Sequence, residues 1–125
     1  MPYADPTKQL VVEVFVRDAA RSREFYERLG FVVREDRGTF VILAWDDCEL
    51  FLDERPDLTP PAAPVANVRV MTPDVDAIWA RVQDVGVPVV APIADRSYGL
   101  RDFTVADPDG FGVRFGAWLA ADHQD

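Results

Sequence analysis

Two stretches of this 125-residue chain carry the same punctuation at the same length, and that repeat narrows the possible folds more than any other feature. Asp18 and Gly30 bracket the first stretch, Asp74 and Gly86 the second. An aspartate before a helix accepts from the orphan amides of its first turn, and a glycine after it takes the left-handed conformation that stops it. Between the brackets, Phe25, Tyr26 and Leu29 form one apolar stripe, and Ile78, Trp79, Val82 and Val85 form another. The spacing predicts helices over residues 19–29 and 75–85.

Apolar, β-branched runs at 10–16 and 66–71 precede these helices and read as buried strands. Three more strands are expected after each helix: 31–35, 39–45 and 48–52 in the first half, 87–90, 101–106 and 112–116 in the second. The last two form a hairpin through Asp107-Pro-Asp-Gly110, where proline presets φ and glycine relieves the exit. The unit βαβββ is thus used twice, and a repeat of this kind sets the architecture. One helix covers one face of a sheet, so the other face is left for something else. The expectation is a single α+β domain over 1–125. Its modules, about 9–53 and 66–118, pair into a curved, mixed, mostly antiparallel eight-stranded sheet. The helices lie outside and a concave ligand cleft inside. Pro56, Pro60, Pro61 and Pro64 mark 54–65 as a stiff linker.

Composition removes several function classes. A net charge of −9 disfavours nucleic acid and anionic membranes as partners. Cys48 is alone, so no intrachain disulfide forms and a reducing cytoplasm is the expected location. No apolar run reaches membrane-spanning length and no secretory leader opens the chain. Phosphate-loop, nucleophile-elbow and Cys-x-x-Cys motifs are all missing, and the one histidine, His123, lies in the tail beyond the last strand. Ser–His and Cys–His catalysis therefore have no base. Residues 1–8, with Pro2 and Pro6, read as an irregular arm.

Asp18, Phe25-Tyr26, Gly30-Phe31, Tyr98-Gly99 and Asp107-Pro-Asp-Gly110, in this order on a paired βαβββ, resemble the vicinal oxygen chelate superfamily. That group includes glyoxalase I, extradiol dioxygenases and fosfomycin- and bleomycin-resistance proteins. Its enzymes hold a divalent metal from the first and last strands of each module. By resemblance those positions are Val11, Phe51 (or Glu49, if the register slips), Asn67 and Arg114. Valine and phenylalanine cannot ligate, asparagine is a poor ligand, and an arginine repels a cation. Glu13 and Glu49 remain as a conceivable inward carboxylate pair. Loss of the ligand set matches the bleomycin-resistance branch, which binds its drug without transforming it. The resemblance implies a metal-free, cofactor-free homodimer of a kind that often exchanges an N-terminal arm between subunits, and residues 1–8 could serve as that arm. It would sequester a planar or cationic drug in an aromatic-lined cleft. The alternatives are a lyase, isomerase or oxygenase with an atypical metal site, or a binder of an anionic metabolite through Arg69 and Arg114.

The candidate ligand-binding residues are Phe40, Glu49, Phe51, Asn67, Arg69, Tyr98, Gly99 and Arg114. Tyr98 stands where the family stacks an aromatic on its ligand, or else packs on its own hairpin. Gly99 would let backbone approach a ligand closely. Phe40 lines the pocket or belongs to the sheet core. Arg114 either faces water or points inward, where it needs Glu49 or a ligand anion as partner.

Overall fold

The computed structural model describes residues 4–119, and within them the βαβββ unit occurs twice. The first copy comprises β1 (Val12–Val16), α1 (Ala19–Leu29), β2 (Val32–Asp36), β3 (Phe40–Trp45) and β4 (Cys48–Glu54). The second comprises β5 (Asn67–Met71), α2 (Val75–Val85), β6 (Val89–Asp95), β7 (Leu100–Ala106) and β8 (Gly112–Trp118). The ladders join them as two four-stranded mixed sheets in matching order, β1-β4-β3-β2 and β5-β8-β7-β6. In each, the first strand pairs in parallel with the last, and the remaining pairs are antiparallel. The chain divides into two compact units between Pro61 and Ala62.

Both helices have the predicted bounds because their caps act as their residue types dictate. Asp18 Oδ1 accepts from the Arg21 amide and Asp74 Oδ1 from the Ala77 amide, each at 3.1 Å. Gly30 (φ 117°) and Gly86 (φ 73°) close the helices in the left-handed region. Ala19, Ser22, Tyr26 and Leu29 are buried on the sheet-facing side of α1, as are Val75, Ile78 and Val82 on α2. The first core adds Val14, Val16, Val41, Leu43, Leu50 and Leu52, and the second adds Phe103, Val105, Val113 and Phe115. Trp45 packs edge-on against Phe31, and Trp79 lies 5.0 Å from the Phe103 ring.

Three expectations need correction. Strand β6 runs through Pro92 to Asp95, well beyond the expected 87–90. It is an edge strand with two register shifts, where a residue lacking an amide hydrogen is tolerated. Strand β4 continues to Glu54 because β1 and β3 both pair with it. Glu54 then turns its carboxylate to the Ala19 amide at the start of α1, 3.0 Å away. In the N-terminal arm, Pro6–Lys8 form one 3-10 turn, while residues 1–3 lie outside the described residues. So does His123. Among the described residues no helix is long and apolar enough to cross a membrane.

Candidate functional site

In a pleated strand alternate residues share a face, so the sheet face that a helix covers identifies the face it leaves open. On the second sheet, α2 takes Val70, Phe103, Val105, Val113 and Phe115. The opposite face is a grid set by the strand register. Asn67 on β5 pairs with Gly112 on β8. Arg69 pairs with Arg114, which pairs in turn with Thr104 on β7. Met71 pairs with Gly116, which pairs with Asp102, and Trp118 closes the end opposite Leu100.

Asp102 is the buried centre of this face, at 0 % exposure. A buried carboxylate must be paired and hydrogen-bonded, and both its oxygens are occupied. Tyr98 donates its hydroxyl to Oδ2 at 2.6 Å, and Arg96 donates Nε–H to Oδ1 at 2.8 Å. Arg96 is further fixed by the Pro92 and Asp102 carbonyls. Burial alone pushes the Asp102 carboxyl up. The Tyr98 and Arg96 hydrogen bonds, with the charges of Arg114 and Arg96, outweigh it and hold the group below the ordinary value. The same bond, then burial and the Asp102 charge, raises the Tyr98 phenol against the opposing charges of Arg114 and Arg96.

Tyr98 is thereby anchored at its hydroxyl while half of the residue, 52 %, stays exposed. The turn beneath it closes through Gly99 N–H to the Arg96 carbonyl, with Gly99 at φ 92°. Gly99's carbonyl accepts from the Leu119 amide, so its backbone is spent on the turn. The positive φ, not close approach to a ligand, accounts for glycine here. Arg114 donates Nε–H to Thr104 Oγ1 at 2.9 Å. In the first unit, Glu49 is ion-paired with Arg34 at 3.1 Å. Arg69 is exposed, with its guanidinium carbon 6.0 Å from the Tyr98 ring centre. Asn67 is exposed, and its Cβ lies where a Gly112 side chain would stand. At the Trp118 end, Met71, Thr72, Pro73, Ala117 and Trp118 line a groove of about 360 Å³.

On the first sheet, Phe40 and Phe51 share the face away from α1 as a half-buried edge-to-face pair, ring centres 5.2 Å apart. Glu13, exposed on β1, and Glu49 share it too. With Glu49 engaged by Arg34, they are not a free carboxylate pair. The divalent metal of the family's enzymes does not fit the residues present. The corresponding positions offer two hydrocarbon side chains, an amide and a guanidinium held by Thr104. Among the described residues no three of His, Cys, Asp and Glu come together as a metal site.

Of the sequence candidates, Asn67, Arg69, Tyr98, Gly99 and Arg114 belong to the second unit's cluster and its supporting turn. Phe40, Glu49 and Phe51 lie together on the open face of the first sheet. Sequence reasoning missed Asp102, Arg96 and Thr104. The available signal was a charge in a strand whose neighbours of like parity, Leu100 and Thr104, are compatible with burial.

The comparisons agree with this fold. A glyoxalase/bleomycin resistance protein/dioxygenase from Nocardioides is 21 % identical, covering 92 % of this chain and 84 % of its own, with a TM-score of 0.74. TioX from Micromonospora sp. ML1 is 24 % identical over 88 % of this chain and 98 % of its own, TM-score 0.75. A bleomycin-binding protein complexed with bleomycin is 24 % identical over 89 % and 98 %, TM-score 0.73. No curated protein sequence matches the chain. The family model for Glyoxalase/Bleomycin resistance protein/Dioxygenase superfamily matches residues 8–115. With both βαβββ modules inside that match except for the last three residues of β8, the chain belongs to the Glyoxalase/Bleomycin resistance protein/Dioxygenase superfamily.

Proposed function

We propose that this protein is a small-molecule binder that sequesters a planar ligand without metal-dependent chemistry, in the manner of the superfamily's resistance branch. The observation that carries the reading is Tyr98. Its ring is exposed at a sheet face while its hydroxyl is tied to a fully buried carboxylate. An exposed aromatic held in one orientation loses little side-chain entropy when a flat ligand stacks on it. The nearby groove, about 360 Å³, is within the usual size of small-molecule sites and adds the apolar surface of Met71 and Trp118. The residues at the family's metal positions support binding over catalysis, because they supply no imidazole and no full set of oxygen ligands for a divalent ion. Antibiotic resistance by stoichiometric capture belongs to the same proposal. So does the homodimer, which leaves the count of one ligand per protomer unchanged.

The test is a tryptophan-fluorescence titration of metal-stripped, full-length protein with bleomycin, metal-free and copper-loaded, and with uncharged planar aromatics. At least one should bind saturably, be recovered chemically unaltered, and bind about fivefold more weakly to Tyr98→Ala, a stacking loss of about 1 kcal/mol. Turnover of excess ligand, or a stoichiometric divalent ion in natively purified protein, would restore the enzyme alternative. No saturable binding by any planar compound would end the sequestration reading.

A further inference from the structure

Beside Tyr98 the open face of the second sheet carries a pair of arginines with no ion-pair partner among the described residues. Arg69 and Arg114 are direct register partners on parallel strands. Neighbouring strands run about 4.8 Å apart, and like charges placed opposite each other destabilise a sheet. A purely structural pair would be relieved by carboxylates, as Arg101 is by Asp76 and Asp95. Neither Arg69 nor Arg114 has an ion-pair partner among the described residues. Arg69 makes no hydrogen bond there, and Arg114 makes one, through Nε to Thr104.

That single bond matters for shape. It fixes the Arg114 guanidinium plane by one edge and leaves both terminal nitrogens uncommitted. The nearest carboxylate of the face, Asp102, is already satisfied by Arg96 and Tyr98. Arg96 is ion-paired with this carboxylate, and Arg114 and Arg69 follow on the next two strands of the same face, within a chain whose net charge is −9. Gly112 and Gly116 flank Arg114 along β8 on the same face, so no side chain of its own strand stands beside it. Planar forks of N–H donors match a carboxylate by paired hydrogen bonds. Arg69 also lies against the Tyr98 ring, which puts the cationic and stacking surfaces next to each other.

We infer that the ligand is a planar carboxylate, its ring stacked on Tyr98 and its anionic group held between Arg69 and Arg114. This rests on the sequestration reading and makes the site unlike one built for a cationic drug.

The probes are 2-naphthoate and its uncharged counterpart 2-naphthamide, titrated into full-length protein by calorimetry. Charge-assisted hydrogen bonds to an arginine should make naphthoate bind about tenfold more tightly or better. In Arg69→Gln and in Arg114→Gln the ratio of the two affinities should fall toward one. Arg69→Gln keeps the test informative if Arg114→Gln misfolds, because Arg69 is exposed and makes no hydrogen bond. Equal affinities in the wild type, both weakened by Tyr98→Ala, would overturn the carboxylate site and leave sequestration standing. A naphthoate preference that survives both arginine substitutions would also overturn it. If neither probe binds up to its solubility limit while a planar compound of the fluorescence titration does, the carboxylate site falls and sequestration stands; if none of them binds, both fall.

Discussion

Tyr98 illustrates how one side chain can serve packing and recognition at once. Its hydroxyl supplies one of the two side-chain hydrogen bonds that keep Asp102 satisfied in a dry environment, while its ring faces outward. Tyr98→Phe removes the first role and keeps the second. Deleting a hydrogen bond to a charged acceptor, at a site that water can partly reach, should cost about 1 kcal/mol. Urea denaturation at neutral pH reads this directly, and a variant as stable as the parent would mean the bond carries no weight. Tyr98 was legible because an aromatic before a glycine is unusual at the mouth of a strand. Asp102 was not. Alternation puts Arg101 and Asp102 on opposite faces, but it does not say which face is dry. The answer depends on α2, whose Asp76 draws Arg101 to its own side. Arg114 was recognised as needing a partner, and Thr104 did not register as one because it is neutral.

Elements with their own chemical punctuation were read to the residue, whereas β4 and β6, whose ends are set by their neighbours, were read short. Both helices begin and end at residues that dictate capping, so their limits needed no tertiary information. Strand β6 contains Pro92, which argues against a strand until its edge position is known. The pairing of β5 with β8 depends on another local feature, the absence of a side chain at Gly112. A Cβ there would stand 2.8 Å from Asn67 Cβ and 3.1 Å from the Ala66 carbonyl oxygen, closer than such atoms tolerate. At Gly116 the nearest atom would be Asp102 Cβ at 3.3 Å, a milder contact. Gly112→Ala should therefore cost about 2 kcal/mol, in the range of overpacked sites, and Gly116→Ala distinctly less. Urea midpoints for the two variants should fall in that order, and the reverse order would show that β5 yields more readily than the Asp102 cluster.

The duplicated module was the most legible property of the chain as a whole, and its two copies share a dependence on pH. In each unit a carboxyl group is held below its ordinary value of 3.8. In the first unit this is Asp36, which accepts from the Gly38 amide and then from Arg23. In the second it is Asp102. A depressed carboxyl contributes stability above its unfolded value and loses it as pH falls through the folded one. Stability should thus be level at moderately acidic pH and decline once pH drops below about 3.8, the ordinary value from which both groups are displaced. Tyr98 supplies the opposite limb. Its phenol is raised above the ordinary 10.0, so its contribution is complete below that value and disappears as pH climbs through the folded value. Asp102 is the one group that shapes both limbs, because the bond that depresses its own titration is the largest cause raising that of Tyr98. Asp102→Asn should consequently flatten both the acid and the alkaline limb of the stability curve. Asp36→Asn should flatten the acid limb alone. Chemical denaturation followed by circular dichroism across pH distinguishes them. An alkaline limb unchanged in Asp102→Asn would mean that the buried carboxylate does not govern Tyr98, and with it the anchoring on which the proposed binding surface depends.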